Sequence, residues 1–214
     1  KLNHFLKTVY FTCISLQGRL TSAEPEFILL NKYVRPGSVV VDIGCNIGRY
    51  TFELSRLVGR KGLVIAVDPN PMMISILSFI SSLRGFENIR LFCCAAGETN
   101  TVGKFLKDTS KPHDAIFSTE TRSKVIVNEH LKTTDTLIVK IDDIIPWDNV
   151  SFLKIDTEGY EINALKGCSN ILRKSGPTVL AEFNSDQLIP FMISHGYQSK
   201  DYDSNSKNVL FISK

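Results

Sequence analysis

Two short stretches bring together residue types that can do chemistry. In Asp42-Ile-Gly44-Cys45-Asn46-Ile-Gly48 an acid precedes a glycine-bearing turn. In Asp156-Thr-Glu158-Gly-Tyr-Glu161 three carboxylates fall within a few residues. That density exceeds what a helix cap needs and supplies candidates for moving a proton. Asp68 and Glu182 add acids at the ends of two further apolar segments.

The first stretch follows the β-branched run of residues 39–41, which suits a strand buried on both faces. From Arg49 the pattern becomes helical, with Tyr50, Leu54, Leu57 and Val58 near one face. A strand that turns through glycine into a helix presents free backbone N–H groups, which can hold the polar part of a nucleotide-like ligand. The spacing departs from the dinucleotide pattern, because Asn46 stands where the middle glycine belongs. Close approach of a pyrophosphate is therefore disfavoured. An acid just ahead of Gly44 instead suits a ligand with a cationic amino acid end. S-adenosylmethionine is such a ligand, with an ammonium, a sulfonium and no phosphate.

Asp68-Pro69 ends a second strand, read over residues 62–67. The offset from Gly44 suits a carboxylate that accepts from ribose hydroxyls. The competing reading of Asp68 is a cap for the helix that begins near Pro71. A third strand, residues 88–95, ends in Cys94-Ala95-Ala96-Gly97-Glu98, where small residues would admit an adenine ring. Asp156 closes a strand made by Phe152, Leu153 and Ile155, with Glu158 and Glu161 at the turn into a helix read to Leu172. The next strand, residues 178–183, carries Glu182 near its end. Asp156, Glu158 and Glu182 are, in that order, the candidate general bases. Glu158 and Glu161 have a competing role, bracing the turn through helix-start N–H groups. Asp156 and Glu182 would also suit magnesium as hard oxygen ligands, but no metal ligand set is assigned.

The remaining elements must position these groups. Residues 1–20 have an amphipathic period through Leu2, Phe5, Leu6, Val9 and Cys13, and residues 24–34 form a second helix that ends before Pro36-Gly37. Residues 99–146 are irregular, with β-like pieces at 103–106, 124–127 and 137–141, and are read as an insert that carries acceptor specificity. His113 and His130 are read as solvated loop residues, and Asp142-Asp143 as a turn or helix entry. A helix over 187–194 and two β segments, 197–202 and 208–212, close the chain, with a turn at 203–206.

The composition excludes several classes. The chain has 214 residues, 43% hydrophobic content and net charge +3. One domain over 1–214 is expected. So mild a basic excess, without a dense Lys/Arg run, does not point to nucleic acid. The five cysteines, Cys13, Cys45, Cys93, Cys94 and Cys168, are odd in number and irregular in spacing, which argues against a disulfide framework and a zinc site. No apolar stretch is long enough for a membrane span. Lys7, Thr8, Thr12 and Ser15 interrupt the apolar stretch 5–16, against a secretory signal. A cytoplasmic protein with reduced thiols is expected.

Taken together, residues 40–48 resemble the first motif of class I S-adenosylmethionine-dependent methyltransferases. Leu153-Lys-Ile-Asp-Thr-Glu-Gly-Tyr-Glu161, continued by Ala164-Leu-Lys-Gly167, resembles the signature of the FkbM family. Asp68-Pro-Asn-Pro71 and Ile141-Asp-Asp-Ile144 are similar to further elements of that family. The resemblance implies an α/β, doubly wound, Rossmann-like seven-stranded sheet, mostly parallel, with an antiparallel C-terminal hairpin. It implies methyl transfer to a hydroxyl of a sugar, glycan or small natural product. It places Gly44, Asn46 and Gly48 around the methionine end of the cofactor, Asp42 on its ammonium, and Asp68 on its ribose. Cys45 stands where the family commonly has Ala and is small enough to leave the turn open. Competing readings are a nucleic-acid methyltransferase, a cofactor-binding module without catalysis, and a nicotinamide oxidoreductase, the last opposed by Asn46.

Overall fold

In the computed structural model the run of β-branched residues becomes β1 (Val39–Ile43), the centre of a seven-stranded sheet. The structure describes residues 10, 26–108, 115–118, 131–145, 149–200 and 206–214. The amphipathic pattern of residues 1–20 (Tyr10 apart), His113, His130, the 124–127 piece and positions 203–205 of the closing turn lie outside them.

The elements alternate as the sequence pattern requires. Helix α1 (Glu26–Tyr33) precedes β1, followed by α2 (Arg49–Val58), β2 (Leu63–Val67), α3 (Pro71–Arg84) and β3 (Ile89–Phe92). The excursion comprises β4 (Ala95–Ala96), β5 (Thr101–Asp108), β6 (Ala115–Ser118) and β7 (Leu131–Val139). A short α4 (Ile141–Ile144) leads back to β8 (Val150–Ile155), α5 (Glu161–Lys166), α6 (Ser169–Lys174), β9 (Thr178–Glu182), α7 (Leu188–Ser194), β10 (Tyr197–Lys200) and β11 (Asn208–Ser213).

The main sheet has the order β10-β11-β9-β8-β1-β2-β3. Strands β9, β8, β1, β2 and β3 run parallel, and β11 enters antiparallel to both β9 and β10. Alternation along β1 sends Val41 and Ile43 into one apolar cluster, with Leu165, Ile171 and Met192. Val40 enters the other, with Leu30, Phe52, Leu77 and Phe152. Both faces are thus covered, which is why β1 reads as a continuous apolar run.

Three details differ from the sequence reading. The strand expected over 88–95 ends at Phe92, and Ala95–Ala96 pairs with β7 in a second sheet of order β4-β7-β5-β6. The 137–141 piece is the end of β7 followed by α4. The helix expected to reach Leu172 is two helices. Gly167 lies against the backbone of Gly97, leaving no room for a Cβ. Asp142, buried in α4, accepts from the N–H groups of Asn170 and Ile171 at 2.7 and 3.0 Å and so starts α6. Asp143 accepts from the Asn100 side chain at 2.8 Å.

Gly167, at the end of α5, packs directly on the Gly97 carbonyl. Gly167→Ala is expected to lower stability by roughly 3 kcal/mol or more, the range of overpacking against an atom that cannot move aside. Gly85→Ala, at a left-handed position with open space around it, should cost about 1 kcal/mol. Urea denaturation of the two variants checks the contrast.

Candidate active site

The strand order reverses between β1 and β8, and the crevice at their carboxyl ends is where open α/β sheets bind ligands. A cavity of about 560 Å³ opens there. The turn after β1 is held by the Val67 carbonyl, which accepts from the Gly44 and Cys45 N–H groups at 2.8 and 3.1 Å. Gly44 has φ +80°, and a Cβ on it would overlap the carbonyl oxygen of Asp156. Asn46 sits at φ 47°, a conformation that Asn tolerates. Gly48 follows Ile47, which lines the cavity. It starts α2 at φ +86°, and a Cβ there would come within 2.8 Å of Leu77 Cδ1.

Asp68 ties two turns together. One carboxylate oxygen accepts from Asn46 N–H at 2.9 Å, the other from Asn70 N–H at 2.8 Å. The helix cap is Asn70, whose side chain accepts from Met72 N–H at 3.1 Å, with Pro71 at the first helical position. Burial pushes the Asp68 carboxyl up to about 6, against the pull of its two N–H bonds. Asp42, 2% exposed, accepts from Thr51 Oγ1 at 2.6 Å. Burial pushes it up to about 6 as well, opposed by the Thr51 bond and by Lys154. Pro69, Cys94, Ala95 and Ala96 line the same cavity. Burial raises the Cys45 thiol far above its usual range and pushes Cys94 up to about 11, so both are packing residues and not nucleophiles.

The second carboxylate group divides by position. Asp156 and Glu182 end the adjacent strands β8 and β9 and face the cavity. Glu182 is pushed up to about 7, first by burial and then by the charge of Asp156. Asn184 donates to Glu182 at 2.6 Å. Glu158 sits at the rim at φ 53°. Glu161, 3% exposed, accepts from Thr157 N–H, Thr157 Oγ1 and Gly159 N–H, each at 3.0 Å. It braces the turn. Among the described residues no cluster of three His, Cys, Asp or Glu side chains could hold a metal ion.

Lys154, Glu26, Tyr50 and Asn208 also line the cavity and were not singled out from the sequence. Lys154 had a legible signal, a lone charge inside an otherwise apolar strand. Phe105 of β5 reaches the cavity from the excursion.

Residues 42–199 match the methyltransferase FkbM domain. The chain belongs to the FkbM methyltransferase family. That family uses S-adenosylmethionine. The fold is similar to that of an FkbM methyltransferase from Methylobacillus flagellatus KT, at TM-score 0.58 and 19% identity, covering 87% of this chain and 50% of that one. The chain thus spans about half the length of that relative. It is similar also to an O-methyltransferase from Thermotoga maritima (TM-score 0.52, 12% identity, 95% of this chain and 71% of that one). Aeropyrum pernix fibrillarin with bound S-adenosyl-L-methionine matches at TM-score 0.53 and 15% identity, over 87% and 71%. No curated protein matches the sequence.

Asp42 holds its proton more tightly folded than unfolded, where an Asp titrates near 4. Its stabilising contribution is complete below about pH 4 and is lost as pH rises through about 6. Between those values, without ligand, the wild type should lose about 2 kcal/mol relative to Asp42→Asn, read from paired urea curves.

Proposed function

We propose that this chain transfers the methyl group of S-adenosylmethionine to a hydroxyl oxygen of a sugar, glycan or small natural product. The observation that carries this reading is the Asp156–Glu182 carboxyl pair, which opens into the same cavity as Asp42 and Asp68. Asp42 faces the cofactor's ammonium, directly or through water, and Asp68 accepts from its ribose hydroxyls while its N–H partners Asn46 and Asn70 keep both turns in place. The small side chains of Ala95 and Ala96 border the adenine. Cys45 lines the turn, and Pro69 follows the ribose acid.

When bound, the cofactor supplies an electrophilic methyl on a sulfonium, a good leaving group. The acceptor oxygen forms the new C–O bond as the C–S bond breaks, the electron pair stays on sulfur, and the hydroxyl proton passes to Asp156. In-line placement of oxygen, methyl and sulfur supplies much of the rate, and a carboxylate in hydrogen-bond reach accepts the proton. Glu158 at the rim is the second candidate base and Glu182 the third. Carboxylates outnumber cations around the cavity, which favours an uncharged polyol over a nucleic acid. Residues 1–214 are taken as one domain with its excursion included, because Cys94, Ala96 and Ile141 share an apolar cluster with Ile155 and Leu165. No helix among the described residues is long and apolar enough to cross a membrane. The free thiols of Cys45, Cys93, Cys94 and Cys168 accord with a cytoplasmic site.

Calorimetric titration with S-adenosylhomocysteine should give micromolar-range binding, with none for NADH. A folded protein that binds only NADH, or neither, refutes the reading. Asp68→Ala should weaken S-adenosylhomocysteine binding about tenfold or more. Asp156→Asn should leave binding within about twofold and lower turnover by about 10²-fold or more. Equal loss of binding in both variants would overturn this division of roles.

A further inference from the structure

The mechanism leaves one buried cation unused. Lys154 stands inside β8 with its side chain 1% exposed, in register with Asp42 on one side and Leu180 on the other. A buried ammonium persists only with partners. Its Nζ donates to Asn208 Oδ1 at 2.8 Å and to the Ile155 carbonyl at 3.3 Å, and lies 4.9 Å from the centroid of the Tyr50 ring. Its remaining contact is Asp156 Oδ2 at 3.5 Å. An ammonium can only donate and a carboxylate only accept, so the Asn208 amide has one possible orientation. It accepts from Lys154 and donates to Glu26 Oε1 at 2.9 Å, and Ser206 Oγ donates to the same oxygen. A continuous polar chain thus runs from α1 through β11 and β8 to the paired carboxyls.

The charges around that pair are unequal. Asp156 has the ammonium on its β8 side and the carboxylate of Asp42 on the neighbouring strand. Glu182 has Asn184, a neutral donor, and lies in the field of Asp156 and Glu158. Glu161 lies next to Asn184, at 3.4 Å, and is already engaged by the turn. Lys207 lies on the cavity wall. A cation beside one member of a carboxyl pair favours the charge on that member and leaves the proton on the other.

We infer that Lys154 is a positioning residue, which anchors the negative charge on Asp156 so that a proton taken up by the two carboxyls resides on Glu182. This rests on the reading of Asp156 as the base, because only that arrangement leaves Asp156 free to accept the acceptor's proton.

The test is a ¹³C NMR titration of the side-chain carboxyls, with Asp156→Asn and Glu182→Gln assigning the two signals. In the wild type the proton taken up near pH 7 should appear on the Glu182 signal. Lys154→Met should raise the midpoint of the pair by about one unit, and Lys154→Arg should return most of that shift. With the midpoint raised, kcat should fall about tenfold. A residue with a merely structural role would lower the melting temperature and leave the midpoint where it was. An unchanged midpoint in folded Lys154→Met overturns the inference. Should Lys154→Met fail to fold, the wild type decides alone, since a proton found on Asp156 rather than Glu182 overturns it equally. The titration needs no turnover, so failure of the methyl-transfer reading appears separately, as absence of S-adenosylhomocysteine binding.

Discussion

The turns after β1 and β8 lie against each other through backbone atoms. Asp156 N–H donates to the Ile43 carbonyl at 3.0 Å, and the Asp156 carbonyl occupies the space that a side chain on Gly44 would need. Everything else at the site follows from that approach. It brings the glycine-bearing turn and the carboxylate turn to one crevice, and it fixes Asp156 at its edge. The parallel register then sets Asp42 beside Lys154 in the middle of the sheet.

This arrangement concentrates charge where the sheet is least exposed to water. Asp42, Asp68 and Glu182 are all raised above their ordinary range, each chiefly by burial. Such groups work against the stability of the unliganded chain near neutral pH and gain when a cationic ligand arrives. Raised carboxylates of this kind are often found where a protein holds them for use.

Much of this was legible from residue types. The acid-Gly-Asn-Gly turn, the position of Asp68 and the carboxylates at 156–161 each announced themselves by local spacing. Less visible was how the three carboxylates divide. Glu161 is engaged by the turn itself, Glu158 sits at the rim, and Asp156 meets Glu182, a residue on another strand. Nor could the motif spacing show that Gly48 also packs against Leu77, which leaves no space for a side chain there. The helix after β8 read as continuous, since its period runs on through Gly167. The break arises from Gly97 and Asp142, which reach it from the excursion and from α4.

The sequence by itself determined the order and type of the elements flanking the site, because hydrophobic period, glycine placement and capping are local properties of the chain. Strands β1, β2, β8 and β9, the helices between them and the closing hairpin all follow from those signals. Only the tertiary structure decided which charges meet. The contacts of Lys154 with Asn208 and of Asn208 with Glu26, and the placing of Asp156 beside Glu182, depend on strand order and register. Those are set by how several apolar faces pack at once, and no single segment carries that information.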